Sequence, residues 1–109
     1  MLDCYMSLTV PYTVELARRI DREVPGGIKW IEEVLPPDDY DGYAEVKDKV
    51  GFTTMVTCGE HEYTRYGFRQ LLEKKCCDVI QPDITWCGGI TEARRICALA
   101  AAYDVQVIP

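Results

Sequence analysis

The sequence predicts an α/β fold built on a repeated parallel β/α unit, and three observations carry that prediction. First, short apolar runs end on acids: Met1-Leu-Asp3, Ile28-Lys-Trp-Ile-Glu-Glu33, Thr54-Met-Val-Thr-Cys-Gly-Glu60 and Cys77-Asp-Val-Ile-Gln-Pro-Asp83. Runs of this kind read as parallel strands that are buried on both faces and deliver polar groups at their C-terminal ends. Second, Asp3, Glu32, Glu60 and Asp83 follow one another at intervals of 29, 28 and 23 residues. Third, each interval holds one helical pattern and one strand pattern, which is the alternation of a parallel sheet with crossover helices. A barrel and an open sheet both satisfy that repeat.

Taken in order, Met1–Asp3 is the tail of a first strand. Pro11–Val24 reads as a helix, with Val10 just ahead of it and Val14, Ala17, Ile20 and Val24 at helical spacing, and Glu15, Arg18, Arg19, Arg22 and Glu23 on the other face. Pro11 suits a first helical turn, and Pro25-Gly26-Gly27 ends the helix. Ile28–Ile31 is the second strand, followed by a loop stiffened by Pro36 and Pro37. Tyr40–Val50 reads as a short helix packed through Tyr43 and Val46, or Ala44. Thr53–Cys58 is the central strand, and Tyr66–Lys75 a helix with Phe68, Leu71 and Leu72 inward. Residues 77–83 form another strand, with Pro82 tolerable only near its end. Trp86-Cys-Gly-Gly89 is a tight loop. Thr91 is expected to cap a helix running to about Tyr103, with Ala93, Ile96, Cys97 and Ala100 inward. Val105–Pro109 is a last strand.

Size and charge narrow the functional classes. A chain of 109 residues allows one domain with a modest core. A net charge of -6, with no basic stripe beside the aromatics, argues against nucleic-acid binding. No apolar run is long enough to span a bilayer, and no signal peptide precedes the first strand pattern, so a cytoplasmic protein is expected. Six cysteines occur without a Cys-x-x-Cys pair and with a single histidine, which disfavours zinc; reduced, mostly buried thiols are expected.

The chemistry concentrates on the acids. Asp3, Glu32 and Glu60, one per strand, would lie side by side, where like charges repel unless a cation joins them. Oxygen donors alone point to Mg²⁺. Singly, each is an ordinary loop acid; three in phase favour a metal site. Glu33 and Glu62 are alternates, because a shift of one residue exchanges neighbours. His61 is a candidate general acid or base, or an exposed loop histidine. Asp83 could orient a basic partner; on the residues alone, an acid satisfied by loop amides is the favoured reading. Trp86 and Gly88-Gly89 shape a pocket or fill core and make a turn, and the glycine pair is too short for a phosphate loop.

Together, Leu2-Asp-Cys-Tyr-Met6, Lys29-Trp-Ile-Glu-Glu33 with Leu35-Pro-Pro37, Gly59-Glu-His61, and Gln81-Pro-Asp83 with Trp86-Cys-Gly-Gly89 resemble the barrel domain of the enolase superfamily. The similarity is to the mandelate racemase subgroup of acid-sugar dehydratases and covers essentially the whole chain. It implies a partial (β/α) barrel of the enolase C-terminal domain type, about strands 3 to 7, over residues 1–109, with the N-terminal capping domain outside the chain. It assigns Asp3, Glu32 and Glu60 to Mg²⁺ and Asp83 to orienting a catalytic histidine that would follow Pro109. His61 is assigned to the substrate or its departing hydroxyl. The implied reaction removes the α-proton of a sugar acid and eliminates water to give a 2-keto-3-deoxy acid. The implied partner is that small molecule, with no nucleic acid or membrane, in a parent enzyme that is a homo-oligomer. The 109 residues alone are expected to lack turnover. Alternatives are another acid-sugar substrate such as L-galactonate, and a non-catalytic half-barrel serving as a binding or assembly module. An independent flavodoxin-like sheet also fits the alternation but has no phosphate loop.

Overall fold

The structure, a computed structural model, describes residues 1–50 and 54–109. Nine elements alternate: β1 (Leu2–Asp3), α1 (Val10–Glu23), β2 (Trp30–Glu32), α2 (Tyr40–Val50), β3 (Met55–Cys58), α3 (Thr64–Glu73), β4 (Val79–Ile80), α4 (Ile90–Ala101) and β5 (Gln106–Val107). All strand pairs are parallel, and the sheet order is β1-β2-β3-β4-β5. Every crossover therefore steps one strand in the same direction. With the usual right-handed connection, that order puts all four helices on one face. A flavodoxin-like sheet needs a reversal of strand order, and none is present here. The architecture is that of a barrel segment.

The core lies between the sheet and its helices. Ile31, Val56, Cys58 and Ile80 pack with Val14, Ala17, Tyr43, Val46, Phe68, Leu71, Ile96 and Ala100 in one cluster. Tyr43 is fully buried, donating its hydroxyl to the Leu35 carbonyl at 2.8 Å and accepting from the Leu35 amide at 3.3 Å. Residues one step away in the strands form the opposite row, and registration aligns Asp3, Glu32, Thr57, Val79 and Gln106 across the sheet. Among the described residues, no helix is long and apolar enough to cross a membrane.

Several boundaries differ from the sequence reading, each for a local reason. The second strand is Trp30–Glu32 rather than Ile28–Ile31, and the fourth is only Val79–Ile80. Pro82, which has no amide hydrogen, lies just beyond that short pairing. Val24 is exposed, because α1 stops at Glu23 and the residue before Pro25 takes the extended conformation that a following proline imposes. Gly89, at φ 88°, is the N-cap of α4, which puts Thr91 inside the helix rather than at its cap. Cys97 is exposed, since the buried stripe of α4 runs through Ala93, Ile96 and Ala100. The other five cysteines are buried and free. Thr53, expected to open the central strand, lies outside the described residues.

Candidate active site at the strand ends

Three of the predicted acids gather at the C-terminal rim of the sheet. Asp3 and Glu32 are register partners at the ends of β1 and β2, about one strand spacing of ~4.8 Å apart. Thr57 continues their row on β3, and Glu60 follows two residues beyond the end of that strand. The two-residue period separates Glu32 from Glu33 decisively. Glu32 shares its face with Trp30, whose indole N–H donates to Glu32 Oε2 at 2.8 Å. Glu33 leaves the strand at φ 46° and is buried, accepting the Gly59 amide at 2.6 Å.

The side chains of the three acids are engaged separately. Asp3 Oδ1 accepts the Tyr5 amide at 3.0 Å, Glu32 holds Trp30, and Glu60 Oε1 lies 3.5 Å from His61 Nδ1. Among the described residues, no three His, Cys, Asp or Glu side chains form a group at metal-binding distance. What the fold supplies is neighbouring strands: the three carboxylates stand at or just beyond the ends of β1, β2 and β3, and hard oxygen donors of this kind suit Mg²⁺. Thr57, in the same row, is buried with its Oγ1 unpartnered.

Glu62, the other alternate ligand, belongs to the scaffold. It is buried, accepts the Tyr40 hydroxyl at 2.6 Å and the Tyr63 amide at 2.9 Å, and lies directly over Gly67. Asp83 sits past the end of β4, with Oδ1 accepting from the Thr85 hydroxyl at 2.5 Å and from the amides of Thr85 and Trp86 at 2.7 and 2.8 Å. The Thr85 hydroxyl first, then the two amides, hold its carboxyl below the usual carboxylate range. It is thus an ionised acid braced by its loop.

His61 joins these loops. Its ring lies edge-on to Tyr5 and to Trp86, at centroid distances of 5.9 and 6.0 Å, and its carbonyl accepts the Trp86 indole N–H at 3.1 Å. Trp86 is an exposed wall of this site rather than core. Gly88 and Gly89, at φ 114° and 88°, turn its loop into α4. Arg65 and Glu92 tie the starts of α3 and α4 together behind it, at 2.8 Å.

Residues 1–109 match the family described as enolase C-terminal domain-like. The chain belongs to that family. Among solved structures, the chain is 54% identical to L-rhamnonate dehydratase from Gibberella zeae over 98% of its own length and 26% of that chain, with a TM-score of 0.86. A structure of rhamnonate dehydratase from the same organism is complexed with Mg. The 3,6-anhydro-D-galactonate cycloisomerase from Zobellia galactanivorans is 38% identical over 100% of this chain and 30% of its own, with a TM-score of 0.91. A racemase from Streptomyces coelicolor A3(2) with bound magnesium is 30% identical over 96% of this chain and 28% of its own, with a TM-score of 0.87. The chain spans about a quarter of the length of the dehydratase and little more of the others.

In this member of the family, two residues stand beside His61 where the sequence reading does not place them: Tyr5, which has no assigned role, and Glu33, named only as the alternate to Glu32. Tyr5, on the β1–α1 loop, is one wall around His61. Glu33 is the other, a buried carboxylate whose Oε2 lies 3.9 Å from His61 Nδ1. Only the doubled acid of Ile31-Glu-Glu33 hinted at it, and a doubled acid does not say which member turns inward.

Proposed function

We propose that this chain is the metal-binding part of a Mg²⁺-dependent sugar-acid dehydratase of the mandelate racemase subgroup, acting on L-rhamnonate. The observation that carries the reading is 54% identity to L-rhamnonate dehydratase over 98% of the chain. The adjacency of Asp3 and Glu32, with Glu60 beyond the next strand, supports it.

In this reading, Asp3, Glu32 and Glu60 hold Mg²⁺, one from each of three neighbouring strands. Bound there, the ion supplies a Lewis acid for the substrate carboxylate and for negative charge growing at the α-carbon. His61, once protonated to the imidazolium, donates a proton to the substrate β-hydroxyl, which departs as water. Asp83, braced and ionised, accepts a hydrogen bond from the imidazole that removes the α-proton, a base outside these 109 residues. Tyr5 and Trp86 restrain His61 and limit water around it. The substrate loses its α-proton and β-hydroxyl to give a 2-keto-3-deoxy acid, and the whole enzyme works as a homo-oligomer.

Calorimetric titration of the chain with Mg²⁺, and then with L-rhamnonate, tests this. Saturable Mg²⁺ binding that Glu60→Gln abolishes, followed by L-rhamnonate binding only when Mg²⁺ is present, is expected. A folded chain that binds no Mg²⁺ overturns the reading.

A further inference from the structure

Among the described residues, two of the buried polar atoms without a hydrogen-bond partner lie beside each other near the rim: Glu33 Oε2 and His61 Nδ1. They lie 3.9 Å apart. Buried polar atoms in native proteins are almost always paired, and leaving one unpaired costs free energy. The two atoms are complementary in type, and at 3.9 Å they are beyond a hydrogen bond but within reach of a side-chain rotation. The imidazole χ2 torsion is broad, and a modest rotation closes the gap.

We propose that Glu33 is the positioning residue for His61: its buried Oε2 keeps the imidazole proton on Nδ1, so that Nε2 is the unprotonated acceptor at the site. Glu33 is suited to this because it cannot move. Its side chain is only 1% exposed, and its other oxygen is pinned by the Gly59 amide at 2.6 Å. Gly59 permits that approach with φ 124°; a Cβ there would meet the Phe68 ring at 3.0 Å. Glu60 is the rival acceptor, with Oε1 3.5 Å from the same nitrogen. Its side chain is 41% exposed and free to turn toward solvent or a cation, so it holds the imidazole less firmly. The imidazole is 26% exposed although Nδ1 is covered, so its exposure lies on the rest of the ring. The hydrogen bond made by one ring nitrogen decides which nitrogen carries the proton. A carboxylate, which only accepts, selects Nδ1–H.

The role of His61 in dehydration rests on the proposed function, but its tautomer does not, and the two can fail separately. His61 is the only histidine in the chain, so its ¹⁵N signals need no assignment among rivals. Long-range ¹H–¹⁵N NMR of the histidine-labelled chain, at a pH where the imidazole is neutral and without metal, reads the tautomer directly. In the unsubstituted chain the proton is expected on Nδ1, and Glu60→Gln should leave it there. Glu33→Gln keeps an oxygen for Gly59 and turns an amide N–H₂ toward Nδ1, so the Nε2–H form should become dominant, a shift of at least tenfold in the tautomer ratio. A purely structural role for Glu33 would not move that ratio. An Nε2–H form in the unsubstituted chain, or a switch caused by Glu60→Gln, overturns the proposal. So does an unchanged tautomer in a folded Glu33→Gln chain. If Glu33→Gln fails to fold, the unsubstituted chain and Glu60→Gln still decide between the two carboxylates.

Discussion

Buried carboxylates set the energetics of individual residues at this rim. Glu62 is an acid in the interior, and its cost is offset by the Tyr40 hydroxyl and the Tyr63 amide. Burial first, then Glu62, pushes the Tyr40 phenol well above its ordinary value, so the phenol stays protonated and donating. Removing that donor leaves a buried charge short of a partner. Tyr40→Phe is expected to lower the unfolding free energy by about 1.5–3 kcal/mol, measured by urea denaturation, without changing the Mg²⁺ affinity, because the Glu62 carboxylate bonds to the Tyr40 hydroxyl and the Tyr63 amide rather than to a strand-end acid. The thiols follow the same burial rule. Burial raises Cys4, Cys76 and Cys87, with Cys76 pushed up to about 12, so these buried cysteines are packing groups rather than thiolate nucleophiles.

At the scale of an element, the end of β3 is the critical piece. Cys58 closes the strand, Gly59 turns the chain, and Glu60 and His61 follow at once. Gly59 has φ 124°, and an added Cβ would press on Phe68 of α3 at 3.0 Å and on the Gln81 amide at 3.3 Å. No side chain fits without displacing either α3 or the end of β4. Gly59→Ala should therefore cost about 1–3 kcal/mol through strain and overpacking. It should also weaken Mg²⁺ binding at least tenfold, since the turn aims Glu60; paired denaturation and calorimetry of the variant check both effects. Loss of stability with undiminished Mg²⁺ affinity would show that Glu60 is not aimed by this turn.

For the whole molecule, the strand order makes the site a property of the sheet. Asp3 and Glu32 end β1 and β2, and Glu60 follows the end of β3 by two residues, so a cation held by all three, as proposed, would cross-link three consecutive parallel strands. Ligand binding to the folded state alone raises stability by mass action, about 2.7 kcal/mol at a hundred times Kd. Differential scanning calorimetry is expected to show Tm rising with Mg²⁺ concentration. The rise should vanish in Asp3→Asn and Glu60→Gln, whose folds should otherwise be retained because both acids sit at the rim. A rise that persists in both variants would place the ion elsewhere.

The sequence by itself determined the β/α alternation, because apolar runs ending on acids and amphipathic stretches are local patterns. It also placed an acid at or just beyond the end of each of the first four strands, and its motifs carried the family. Local pattern could not say how the strands are ordered, since a barrel segment and an open sheet share the same alternation; the sequential order β1 to β5 decided that. Nor could it choose between Glu32 and Glu33, which have the same chemistry and adjacent positions. The pairing of Glu32 with Asp3 and Thr57 put it at the rim, while the turn after β2 drove Glu33 inward under Gly59. The same holds for Glu62, a loop residue whose partner Tyr40 opens α2, distant in sequence. Which acid is buried depends on groups distant in sequence, and only the tertiary structure brings those groups together.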